Sequence, residues 1–264
     1  MNKFRITRRQ AMQRLGAGGL ALTVANLAGP GAAFAQEDKV LKIHNDGDME
    51  RLDPTSRGGW YDETVMFAIF SGLIRYSGGD DWAWELDAAK SLDDSDPLNI
   101  EFELRPGIEF TGGFGEMTAE DVKFSYERFA DPDVEAVYGS DWAALDQVDV
   151  TGKYTGVIRL KEAFAPLFTS TLPNASGLII SKKAVEESGK PVIATDPLAC
   201  SGPYQLAEWR PREIIRLTRN PGWDGPKPYY DEIQLYPIAD VTAAETAFAA
   251  GDLDCTQIAI NSIP

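Results

Sequence analysis

Residues 101–129 read EFELRPGIEFTGGFGEMTAEDVKFSYERF, and this span decides the fold. Phe102 and Leu104 alternate with polar neighbours as far as Pro106-Gly107, a pair suited to the centre of a tight turn, and alternation resumes at Ile108 and Phe110. The pattern predicts a β-hairpin. Beyond the glycine-rich stretch 112–116, Thr118 followed three residues later by Asp121 forms a capping pattern, and Val122, Tyr126 and Phe129 recur at helical spacing. That predicts a helix with one buried face.

The N-terminus reads as an address. Lys3, Arg5, Arg8, Arg9 and Arg14 precede an uncharged apolar run over 15–27, and Ala33-Phe34-Ala35 offers a small-x-small cleavage site. We expect an export signal over 1–35, cleaved after Ala35, and a periplasmic mature protein. Thr7-Arg8-Arg9-Gln10 looks like a twin-arginine signal, although Ala11 stands where that motif has a bulky apolar residue; an ordinary secretory signal is the alternative. The apolar run falls short of the ~20 residues a membrane span needs. A lipid anchor would require a cysteine at the cleavage point, and the first cysteine is Cys200.

The chain carries 25 Lys+Arg against 41 Asp+Glu, a net charge of −16. Loss of the signal removes five basic residues and no acidic one, leaving about −21. Nucleic acid and anionic lipid are thereby excluded as partners, since both require clustered cations. With 44% hydrophobic residues and no repeat period, the mature part is expected to be globular with a sizeable core. An oxidising compartment favours a disulfide between Cys200 and Cys255, the only two cysteines. Their Cα atoms must then lie within ~7 Å; two separate buried thiols are the alternative.

Elsewhere, 40–46 reads as a strand, Leu52-Asp53-Pro54 as a turn, 64–73 as an apolar helix and 74–76 as a short strand. Residues 91–97 read as a turn-rich loop and 134–146 as a weaker helix. DVTG and TGVIRL, within 148–160, read as strands; 163–172 as a helix stopped by Pro173; and LIISKKAVEE as strand then helix. Residues 204–209 and 214–218 suggest an antiparallel pair, 233–236 a third strand, and Asp240 the cap of a helix ended by Gly251.

The 101–129 span resembles the block FxLRxGxxFxxG…TAEDVxFSxER of the family 5 substrate-binding proteins of ABC importers. The opening strand, the LDP turn and the helix running into IFSGL are similar to the family too. CSGPYQLAEWRPREIIRLTRNPGWDG, from Cys200, resembles the family's GTGPYxxxxWxxGxxIxLxRNxxYxG, and PYYDEIQLYPIADVTAAETAFAAGDLD continues the likeness. Cys200 departs from a family glycine. Arg212 replaces a common turn glycine, which predicts a turn of another type there.

The resemblance implies an α/β (mixed α+β) fold of the two-lobed class II periplasmic-binding-protein type. Residues 36–264 would supply mainly the first lobe, ending near the hinge, so that the chain is expected to be an N-terminal portion lacking the second lobe. The implied function is a periplasmic receptor that captures peptides or related small solutes and delivers them to the membrane permease of an ABC importer. It would act as a monomer, without catalysis or cofactor. A secreted hydrolase using paired carboxylates is the alternative, although nothing in the sequence fixes such a pair. A non-transport solute sensor or chaperone on the same fold is another.

In peptide-binding relatives, the positions five to seven after the Asp of LDP line the cleft, here Gly58, Gly59 and Trp60. The glycines would leave room for a ligand and Trp60 would stack on it; a surface loop with a half-buried tryptophan is the plainer reading. The same relatives place a tyrosine after the helix, and DPDVEAVY puts Tyr138 there, either as a hydroxyl donor to ligand or as ordinary packing. Asn174 and Ser176, in LPNASG, are weaker candidates that could equally serve their own turn. His44 is the single histidine, so no zinc-like cluster or Ser-His-Asp choice can be assembled, and no metal site is expected. The acidic run Asp46, Asp48, Glu50, Asp53 lacks the glycine and terminal glutamate of an EF-hand loop, and the 112–115 glycines lack the lysine of a phosphate loop.

Overall fold

Period-two and helical apolar patterns build two four-stranded sheets, each covered by a helix. The computed structural model describes residues 39–79, 83–192, 195 and 198–262; the expected export signal and its cleavage point lie outside them. In chain order the elements are β1 (Val40–Asn45), α1 (Trp60–Ile69), β2 (Ile74–Tyr76), β3 (Trp84–Leu86), β4 (Ala89–Asp93), β5 (Asn99–Leu104), β6 (Glu109–Phe110) and β7 (Gly115–Glu116). There follow α2 (Ala119–Glu127), β8 (Leu145–Val150), β9 (Thr155–Leu160), α3 (Lys182–Ser188), β10 (Tyr204–Arg210), β11 (Ile214–Arg219), β12 (Glu232–Pro237) and α4 (Val241–Ala250).

One sheet has the order β4-β5-β9-β8, and all its pairs are antiparallel. Ile100, Phe102 and Leu104 point into its core, with Glu101 on the opposite face, as the alternation requires. α2 lies against β8 and buries Val122 and Tyr126 in the same core, and Phe129, from the 3₁₀ turn Arg128–Ala130 that follows the helix, joins them. Each such side chain contributes about 1.5–3 kcal/mol. The cap is present: the Asp121 carboxylate accepts the Thr118 N–H at 2.8 Å and its hydroxyl at 3.0 Å, and also takes the Lys182 N–H at 3.0 Å.

The expected hairpin is not formed. Pro106-Gly107 does turn the chain, with Gly107 at φ 89°, but β5 pairs with β4 and β9 while β6 pairs with β7. Alternation reports which face is buried; it does not name the partner strand.

The second sheet has the order β1-β12-β11-β10, with β1 parallel to β12 and the other pairs antiparallel. α1 packs on β10. The three strands and the capped helix predicted beyond residue 200 are all present: Asp240 accepts the Ala243 N–H at 2.9 Å, and Gly251 ends α4 at φ 86°.

Other expectations are corrected. α1 starts at Trp60 and ends at Ile69, rather than spanning 64–73, because the Ser201 and Gly202 N–H groups take the Ile69 carbonyl at 2.9 and 2.8 Å. Residues 89–93 join the sheet as β4, so the 91–97 loop is shorter than expected. Only a 3₁₀ turn, Gly139–Trp142, survives of the 134–146 helix, since Glu135 at φ 50° cannot continue one. The 163–172 helix is likewise a single turn, Ala165–Phe168. α3 forms as expected, but the strand before it is only an isolated bridge between Gly72 and Leu178. Arg212 adopts the left-handed conformation at φ 61°, one that glycine enters without steric cost.

The disulfide is absent. Cys200 is a buried free thiol and Cys255 an exposed one. Cys255 runs beside Ile43 of β1, whereas Cys200 leads into β10, at the opposite edge of the sheet. Three strand spacings of about 4.8 Å separate those edges.

Candidate functional site

The LDP turn is anchored before anything reaches its surface. Asp53 is fully buried; its carboxylate accepts the Thr55 N–H at 3.0 Å and hydroxyl at 2.7 Å, and pairs with both Nη atoms of Arg128 at 3.0 and 2.7 Å. The Thr55 carbonyl then accepts the Val137 N–H at 2.9 Å, which brings Tyr138 alongside 55–60.

Arg57 organises what lies there. It is 4% exposed, and its guanidinium donates to Glu63 at 2.5 Å, to the Pro54 carbonyl at 2.7 Å and to the Ser176 hydroxyl at 3.1 Å. Asp141 stands 3.6 Å from Nη2. The Tyr138 ring lies against the guanidinium, with Cζ 3.5 Å from its centroid. The Ser176 hydroxyl donates to the Asp141 carboxylate, while its carbonyl accepts the Trp142 indole N–H at 2.9 Å. A buried guanidinium demands this many partners, because an unpaired one would carry its full desolvation cost. Tyr138 and Ser176, distant in sequence, thus meet on one arginine. Sequence reasoning passed over Arg57, Glu63 and Asp141; the available signal was an arginine immediately before the Gly58-Gly59 pair.

Gly58 and Gly59 leave room, but Tyr61 takes it. A Cβ on Gly58 would lie 2.5 Å from the Tyr61 hydroxyl oxygen and 3.2 Å from Glu50 Oε2, and one on Gly59 would lie 3.1 Å from the Tyr61 ring. The Gly58 and Glu50 N–H groups donate to Asp62 at 2.7 and 2.8 Å. Burial pushes the Asp62 carboxyl up, against the pull of those backbone bonds. Burial also raises the Tyr61 hydroxyl, reinforced by the Glu50 and Asp62 carboxylates.

Trp60 is the first residue of α1 and 69% exposed, rather than half-buried in a loop. Such exposure of a large ring beside a half-buried tyrosine leaves apolar surface facing outward. Asn174 serves its own turn by accepting the Ala175 N–H at 2.8 Å. Ser176 is fully buried and acts on Arg57 and Asp141, with no surface of its own. Among the described residues the Tyr138 hydroxyl makes no hydrogen bond, whereas those of Tyr126 and Tyr154 are bonded to Gly177 and Glu116.

Over residues 84–264 the chain matches the bacterial extracellular solute-binding proteins, family 5 Middle. It is 26% identical over 260 residues to the periplasmic oligopeptide-binding protein OppA of Escherichia coli (strain K12), covering 89% of this chain and 45% of that one. To the probable D,D-dipeptide-binding periplasmic protein DdpA of the same strain it is 28% identical over 236 residues, covering 85% and 44%. The chain therefore spans a little under half the length of these curated relatives. Among solved structures, MoaA of A. tumefaciens R10 in complex with mannopinic acid superposes with a TM-score of 0.74 at 29% identity, covering 82% of this chain and 44% of that one. Burkholderia pseudomallei OppA superposes with a TM-score of 0.76 at 21% identity, covering 83% and 46%, a likeness of fold. The fold is the mixed α and β fold of the periplasmic binding proteins, and the chain belongs to the bacterial extracellular solute-binding proteins of family 5.

Proposed function

We propose that this chain forms one wall of a periplasmic solute receptor for an ABC importer, which encloses a peptide or related small solute and passes it to membrane permease subunits. The work is recognition without catalysis: enclosure supplies the differential affinity that favours a closed, deliverable form. The observation that carries this reading is Tyr138, its ring held against the buried Arg57 guanidinium that α1, the 138–142 turn and the 175–177 turn share, in a family 5 chain whose α1 opens on the exposed Trp60. Support for the ligand class comes from relatives: OppA is described as oligopeptide-binding, and MoaA was solved with mannopinic acid.

The test is thermal unfolding of the receptor that contains this chain, with and without trialanine and mannopinic acid. A ligand that binds only the folded form raises the midpoint, by the equivalent of about 2.7 kcal/mol at a hundredfold excess over Kd. The expected result is a saturable rise with at least one probe, removed by Trp60→Ala together with Tyr138→Ala. A rise that survives the double change would place the ligand elsewhere in the receptor.

A further inference from the structure

We propose that Arg57 is a positioning residue of the solute site: it fixes the Tyr138 ring so that the hydroxyl meets a hydrogen-bond acceptor on the ligand, a carboxylate or carbonyl oxygen. The inference rests on the solute-binding reading above. Three segments converge on the guanidinium, namely α1 through Glu63, the 138–142 turn through Tyr138 and Asp141, and the 175–177 turn through Ser176. At 3.5 Å the guanidinium covers one face of the ring, so a ligand can reach only the other face, the edge and the hydroxyl. That hydroxyl makes no hydrogen bond among the described residues, on a side chain that is partly exposed. The hydroxyl is therefore free to donate to an acceptor that a ligand brings.

The covered face also bears on specificity. A ring already stacked on one cation offers a ligand ammonium no second cation–π site on that face. The polar group that the ring offers a ligand is its hydroxyl, and the chemical class assigned to this point of the ligand is an oxygen acceptor. The planar fork of arginine is what makes the arrangement: it donates to Glu63, Pro54 and Ser176 while its Cζ stands over the ring. Lysine would keep the charge and lose both the fork and the stack.

The test is a double-mutant cycle in the receptor that contains this chain, with Kd measured by NMR titration of trialanine and of mannopinic acid. Arg57→Lys and Tyr138→Phe are each expected to weaken binding about tenfold, and the double variant by no more than either alone, because both remove the same oriented hydroxyl. Wild-type-like binding by Arg57→Lys, or losses that multiply to about a hundredfold, would overturn the proposal. Should Arg57→Lys fail to fold, Ser176→Ala and Asp141→Asn loosen the guanidinium while keeping it. The same weakening, and the same lack of further loss with Tyr138→Phe, is expected of them; its absence overturns the proposal. Failure of the wild-type receptor to bind either probe is a different result, which defeats the solute-binding reading itself.

Discussion

Arg128 and Asp53 face each other as a bidentate pair, at 3.0 and 2.7 Å, with side chains 4% and 0% exposed. Asp53 belongs to the LDP turn and Arg128 directly follows α2, so the pair ties together two segments that both resemble the family. Replacing both partners by apolar groups can be neutral, but removing one strands a charge. Asp53→Ala should therefore cost about 3–5 kcal/mol in urea unfolding, since Arg128 would be left buried with little beyond the Pro191 carbonyl. A loss below about 1 kcal/mol would mean that water reaches the guanidinium.

The turn between β10 and β11 is strained and latched. Arg212 sits at φ 61°, where a side chain costs about 1–2 kcal/mol, and the Asp48 carboxylate holds it by accepting its N–H at 2.7 Å and the Trp209 indole N–H at 2.9 Å. Arg212→Gly should raise stability by about 1 kcal/mol, whereas Arg212→Ala, which keeps the strain, should leave it nearly unchanged. Asp48→Ala should lower it by about 1–3 kcal/mol, by leaving those two donors without their acceptor. Denaturation midpoints of the three variants check the set.

Acid sensitivity has a specific contributor in Glu116. Its carboxyl is held down from an ordinary 4.5 to about 2, first by the Lys153 ammonium, then by the Gly107 N–H and the Tyr154 hydroxyl. A depressed carboxyl contributes stability that is present above pH 4.5 and disappears as the pH falls toward about 2. The gap in melting temperature between the wild type and Glu116→Gln should close across that window. A gap of constant size from pH 5 to about pH 2 would assign the effect to packing, because titration of this carboxyl predicts closure.

The two thiols should differ in reactivity. Cys255 is exposed, while burial pushes the Cys200 thiol up and hides it. Iodoacetamide should modify Cys255 alone in the native protein and both cysteines in guanidinium, as read by intact mass. A non-reduced mass lower by two protons would show instead that the sheet edges approach closely enough for a bond.

Local signals in the chain were legible where a segment carried its own solution. The Thr118–Asp121 cap, the Val122/Tyr126/Phe129 face and the Asp240–Gly251 helix appear as read, because caps and helical faces involve neighbours within a few residues. The hairpin failed because strand pairing is non-local: Phe102 pairs in register with Leu92 and Gly156, neither of which its own neighbourhood reveals. The 134–146 helix failed because the apolar Val134, Trp142 and Leu145 are buried by an irregular path, broken at Glu135.

At the candidate site the division is sharper. Sequence alone marked Trp60 and Tyr138 as candidate ligand-facing aromatics, through the resemblance to the family pattern. By itself it also determined the acidic surface, the capped helices, the alternating strands and the family to which these point. Only the tertiary structure decided that Tyr61 fills the space beside Gly58 and Gly59, that Cys200 and Cys255 stand apart, and that Arg57 binds Glu63, Asp141, Ser176 and Tyr138 into one cluster. The physical reason is range. Propensity, capping and periodicity act over a turn or two of chain, whereas a buried guanidinium is satisfied by whichever acceptors the folded core delivers to it from distant segments.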